Sequence, residues 1–164
     1  MKKTALLMVI TLGLFTLSVL AQAAAEAPKD RGEATLNLGG GKVTVDHGRP
    51  AVSGRDITKM IEPGAEWRMG SNAPTSLTSD VDLKFGDKTV AKGKYILKAK
   101  LIEAGNWHLM IYKEKDLVAE IPMTLGENAQ SVELVTIKLD KDGAGAKLIL
   151  EWGTLNLSAK FQKA

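Results

Sequence analysis

Three of the four arginines in the 164-residue chain, Arg49, Arg55 and Arg68, fall between Lys42 and Leu77, where most basic positions elsewhere are lysine. A guanidinium is a rigid, planar fork of donors. It is suited to holding a carboxylate, a phosphate or a set of backbone carbonyls in fixed geometry. The same stretch carries His47, Trp67 and Asn72, with three of the five prolines. One or two of these arginines, with the Asn72 amide and the Trp67 indole, would line a pocket for an anionic or sugar-like ligand. The competing reading is a loop that pins itself. Asp46, Asp56, Glu62 and Glu66 stand among the arginines, with Lys42 and Lys59, and covered charges must pair. Both readings stay open.

Other chemistries find less support. His47 continues the register of Val43 and Val45, which places it at the rim of a core as a hydrogen-bonded side chain. With a nearby carboxylate it would be the base of a glycan or ester hydrolase, the rival function class. Asp46 and Glu66 supply the acids, but no spacing singles them out as a pair. His47 and His108 lack metal-ligand spacing, so no metal and no cofactor is expected. Ser53, Ser71 and Ser76 lie in no G-x-S-x-G elbow. Gly39-Gly40-Gly41 precedes no helix and reads as a turn.

The elements around this stretch follow a period of two. Leu36 and Leu38, then Val43 and Val45, then Val81, Leu83 and Phe85 alternate with polar neighbours. Gly86-Asp87 is a hairpin turn. Tyr95, Leu97, Ala99 and Leu101 share one face of the next strand; Trp107, Leu109 and Ile111 share one face of another. Leu117 to Met123 predicts a shorter strand, Thr124 to Gln130 a loop, and Val132 to Leu139 a central strand. A strand through Leu148, Leu150 and Trp152 turns at Gly153-Thr154 into a last one with Leu155, Leu157, Ala159 and Phe161 inward. The only helical signal is a turn at Asp56 to Ile61. This is an all-β fold: an antiparallel β-sandwich of about nine or ten short strands with one long irregular loop. The alternative is a closed up-and-down β-barrel. Trp107 and Trp152 read as core.

Residues 1–23 have the form of a secretory signal peptide: Lys2 and Lys3, an apolar run from Ala5 to Leu20, then Ala21-Gln22-Ala23. Cleavage near Ala23 would place the mature chain in the periplasm or outside the cell, with no membrane anchor. Residues 24–33 read as a disordered tether and residues 34–164 as one domain. The chain has 22 basic and 19 acidic side chains, and losing Lys2 and Lys3 leaves 20 against 19. A nucleic acid partner is therefore not expected. Lys84, Lys88, Lys92, Lys94, Lys98 and Lys100 have no stacking aromatics among them and read as a solvated sheet face. With no cysteine, no disulfide is available.

Five segments resemble a known family: GKVTVDHGRPAVSGRDI, GAEWRMGSN, the GDKTVAKGKYIL hairpin, WHLMIYKEKD and LILEWGTLNLSAKF. They are similar to the exported bacterial domain of unknown function 2911, from about Gly40 to Phe161. The GRP…GR…WR.G.N series is the most specific part. The resemblance implies a small exported β-rich domain and lends no activity. His47 stands where the family has tyrosine, and Ala73-Pro74 where an acid follows the asparagine. The reading is an exported binding or interaction module whose site residues are His47, Arg49, Arg55, Trp67, Arg68 and Asn72. A purely structural envelope protein without a small-molecule ligand is the third possibility.

Overall fold

The computed structural model describes residues 30–164, so the expected signal peptide and most of the expected tether lie outside the described residues. Ten strands form one antiparallel sheet. They are β1 (Arg31–Leu38), β2 (Gly41–Gly48), β3 (Glu66–Trp67), β4 (Ser76–Ser79), β5 (Leu83–Phe85), β6 (Lys88–Val90), β7 (Gly93–Glu103), β8 (Asn106–Lys113), β9 (Asp116–Asp142) and β10 (Gly145–Lys163). Their order is β1-β2-β4-β7-β8-β9-β10-β5-β6, with β3 beside β4 on the same edge of β7. The sheet folds over into a sandwich and does not close into a barrel. Among the described residues no helix is long and apolar enough to cross a membrane.

Alternation sets which face is buried. Val43, Val45, Leu77, Leu97, Ala99, Leu109 and Ile111 of one layer meet Ile137, Leu148, Leu150, Leu157 and Phe161 of the other. Burial of these apolar side chains is the main favourable term holding the layers together. A smaller cluster of Val52, Ile57, Val135 and Trp152 lies under the arginine stretch, and Trp67 packs against both clusters.

The strands are fewer and longer at the C-terminal end than alternation implies. Asp116–Asp142 is one strand of 27 residues, and it runs straight through the expected loop at Thr124–Gln130. Its first part pairs with β8 and its later part with β10, so one strand serves both layers. Gly145–Lys163 is likewise one strand of 19 residues, and Gly153 is a bulge within it instead of a turn. Inward residues are even-numbered from Ala146 to Trp152 and odd-numbered from Leu155 to Phe161. Gly153, at φ 57°, absorbs the extra residue and keeps the apolar side inward across that change of parity. The Asn128 amide donates to the carbonyls of Gly153 and Leu155, both at 3.0 Å, bridging the break in the ladder.

β1 begins at Arg31, inside the stretch read as tether, and Gly32 pairs with His47. After β2 the chain crosses to the other layer. Val52 N–H donates to the Glu133 carbonyl at 2.7 Å and Val135 N–H to the Pro50 carbonyl at 3.1 Å. The expected helical turn is present as a single 3₁₀ turn, Ile57–Lys59, capped by the Asp56 carboxylate. The rest of Arg49–Thr75 is irregular apart from β3, and that crossover carries the candidate residues.

Candidate functional site

The two ends of the arginine stretch meet at two glycines. A Cβ on Gly48 would run into the Ser71 backbone, and one on Gly70 would lie 2.9 Å from Gly48 N and O. The glycines of GRP and WRMGSN are thus needed because two backbones touch there. On either side of Gly70, Met69, fully buried, has φ 56°, and Asn72 has φ 60°. Asparagine visits the left-handed region readily, but for Met69 it is costly. Such strain persists only where the surroundings over-determine it. Here Thr75 Oγ1 holds the Met69 carbonyl at 3.3 Å, and the Thr75 carbonyl accepts the Leu97 N–H at 2.9 Å.

The arginines have separate tasks. Arg49 Nε donates to the Val135 carbonyl at 3.3 Å and its Nη2 reaches Thr136 Oγ1 at 3.5 Å, tying β2 to β9. Arg55 folds back onto its own loop, with Nε donating to the Val52 carbonyl at 3.0 Å and Nη2 to the Ala51 carbonyl at 2.5 Å. Its guanidinium lies 5.9 Å from the centroid of the Trp152 ring. Trp67 stacks on Trp152 with centroids 5.3 Å apart and planes 12° off parallel. These three side chains fasten the crossover to the sandwich.

His47 is also taken up by the fold. It is 2% exposed, and its Nε2 accepts the Ile137 N–H at 3.1 Å, so the neutral ring carries its proton on Nδ1. Burial, then the nearby Arg49, hold its pKa down at about 4, against a smaller raising effect of Asp46. Gly32 makes room for the ring, since a Cβ there would sit 2.8 Å from Cε1 and Nε2. His108, on the opposite side of its strand from Trp107 and Leu109, bonds Glu120 at 2.7 Å through Nδ1. The two histidines are held by different partners and are not brought together.

Of the neutralisation expected within the loop only the Asp56–Lys59 pair forms, and none of the loop carboxylates pairs with Arg49, Arg55 or Arg68. Asp46 pairs with Arg31 of β1, which also reaches the Ala73 carbonyl at 3.4 Å. Asp56 caps the 3₁₀ turn and pairs with Lys59 at 3.0 Å. Glu66 accepts from Lys98 Nζ at 2.8 Å and from Tyr112 Oη at 2.5 Å. The Lys98 and then the Tyr112 hydrogen bond hold the Glu66 carboxyl below its usual range, and the Glu66 carboxylate pushes the Tyr112 phenol up to about 12.

Arg68 is different. Among the described residues its one side-chain hydrogen bond runs from Nη1 to the Asn72 carbonyl at 3.3 Å, in an exposed setting. Among the described residues no carboxylate lies within ion-pair distance of it. Arg68, Asn72 and Pro74 form one wall of a pocket of about 500 Å³. Tyr112 of β8, with Glu114 and Lys115 of the β8–β9 turn, forms the other wall. Ile96 and Lys98 of β7 lie between them. Lys98 also sits 4.8 Å from the centroid of the Tyr112 ring. Of the six side chains singled out in the sequence, only Arg68 and Asn72 line this pocket.

Tyr112, Glu114 and Lys115 come from the end of β8 and the turn after it, which offered one sign in the sequence, an aromatic side chain on the outward face of β8. Lys98 belongs to the run read as a solvated face. A larger groove of about 910 Å³ opens where β9 and β10 part, lined by Lys88, His108, Glu120 and Lys160 among others. Its charged groups are already engaged: Glu120 with His108, Lys160 with Asp142 at 2.9 Å, and Lys88 with Asp87 at 3.6 Å. Of these two, the Arg68 pocket is the one with cations left over.

Among comparisons with known proteins, the model of one family, described as a protein of unknown function (DUF2911), matches residues 28–161. No curated protein and no solved structure matches the chain. The match takes in every strand but the last two residues of β10, and with them both glycine contacts and all four arginines. On that coverage, the chain belongs to the DUF2911 family.

Proposed function

We propose that the protein is an exported binding module whose ligand site is the Arg68 pocket, and that it takes a small anionic ligand. One observation carries the reading: Arg68 faces an open pocket with most of its donors unused, while Arg49 and Arg55 are spent on backbone carbonyls. A guanidinium used only to pin a loop would be engaged as those two are. The strained backbone of Met69, next to Arg68, adds support, because backbone strain gathers at ligand clamps. The signal-like segment at residues 1–23 supports export. The hydrolase reading built on His47 gains nothing from a ring that is buried and bonded to Ile137.

Thermal melting of the purified protein with a panel of small carboxylates and phosphates tests the site. A ligand bound only by the folded state raises the melting temperature in proportion to ln(1 + [L]/Kd). At least one anion is expected to stabilise the wild type. Arg68→Ala, which removes an exposed side chain, should change intrinsic stability by less than about 0.5 kcal/mol and abolish that gain. Equal stabilisation of Arg68→Ala, or none of the wild type by any anion, overturns the proposal.

A further inference from the structure

The polar groups around Arg68 specify more than a charge. Glu66 is an ionised acceptor, so in the 2.5 Å contact the single phenolic proton of Tyr112 is committed to it. Towards the pocket the Tyr112 oxygen can then only accept. Glu114, at the tip of the β8–β9 turn, also only accepts, and no partner holds its carboxylate among the described residues. The wall opposite Arg68 therefore asks a ligand for hydroxyl donors.

Charge narrows the ligand further. Arg68, Lys98 and Lys115 border the pocket, against Glu114 and the adjoining Glu66, which already holds Lys98. One positive charge is left uncompensated. A dianion would bring its second charge against Glu114. Pro74 and Ile96 supply apolar surface between the walls, suited to the C–H face of a saturated ring.

We infer that the pocket recognises a sugar acid: one carboxylate held by Arg68, and ring hydroxyls donating to Tyr112 Oη and Glu114. The inference rests on the proposed anion site and narrows it to monoanionic polyhydroxylated rings. An acid without hydroxyls would use only the Arg68 side, and a neutral sugar only the other.

The test is a ¹H–¹⁵N titration of the mature protein with D-glucuronate, glucose, acetate and succinate, followed at the amides of Trp67–Asn72 and Tyr112–Lys115. Glucuronate is expected to bind about tenfold more tightly than acetate, the contribution of one or two hydrogen bonds. Glucose should give no saturable shift. Tyr112→Phe should cut the glucuronate-to-acetate ratio about fivefold by removing one acceptor. Glu114→Asn should lower the same ratio, and asparagine tolerates the φ of 55° at that position. If acetate or succinate matches glucuronate, or both variants keep the wild-type ratio, the sugar-acid assignment is overturned while the anion site stands. If no anion shifts these amides, both fall together.

Discussion

Replacing Trp152 by alanine is expected to lower the unfolding free energy by about 3–5 kcal/mol, in the range for deleting a buried large aromatic side chain. Trp152 is 3% exposed and packs with Val52, Ile57 and Val135 beneath the crossover. It also carries the stacked face of Trp67 and lies below the Arg55 guanidinium. Such an aromatic pair adds about 0.5–1.5 kcal/mol beyond area burial, and a cation over the ring about 0.5–1 kcal/mol at an exposed site. One term runs the other way. The Trp152 indole N–H is buried without an acceptor among the described residues, and deleting it removes that cost, which offsets part of the loss. A urea melt measures the change, and a loss under about 1 kcal/mol would contradict the packing described. Because Trp67 precedes Arg68 directly, the same variant should also weaken anion binding.

Acid should destabilise the protein through His47, by about 3 kcal/mol between pH 6.5 and 4. The folded-state pKa, about 4, lies below the ordinary 6.5. Within that window the unfolded chain binds the proton and the folded one does not. Stability is therefore complete above pH 6.5, falls as pH drops, and loses nothing more from this group below about 4. The cause is geometric. A proton on Nε2 would face the Ile137 N–H, two donors with no acceptor, in a site that already holds Arg49 and Arg31 nearby. Glu66, whose pKa is also lowered, acts in the same direction but only below its ordinary 4.5. His47→Gln separates the two, since a glutamine oxygen can accept the Ile137 N–H without titrating. Its stability should be flat from pH 6.5 to 4.5 and fall below that. An unchanged slope in His47→Gln would remove His47 as the cause.

Much of this fold is legible in the sequence because alternation is a local signal. Leu97, Ala99 and Leu101, or Leu155, Leu157 and Phe161, declare their face without knowledge of their partners. Gly153 shows where that stops. A change of parity at a glycine reads equally as a turn or a bulge, and only pairing with β9 decides between them. The same limit applies to the arginines. Their type and clustering marked the crossover correctly, yet the partner of Arg49 is a carbonyl 86 positions away, and carbonyls leave no mark in a sequence. Carboxylates nearby in sequence were the visible candidates, and they pair with Arg31, Lys59 and Lys98 instead. The pocket opposite Arg68 is formed by a turn more than 40 residues on, brought close only because β7 lies between them in the sheet.

The division of labour among the arginines is the central claim, and hydrogen exchange at their side chains reads it directly. In ¹H–¹⁵N spectra recorded after transfer to D₂O, the Nε–H signals of Arg49 and Arg55 should persist, because each is bonded to a backbone carbonyl. That of Arg68 should vanish first and regain protection when a bound anion is present. An Arg68 signal as long-lived as that of Arg49 in the unliganded protein would contradict the account.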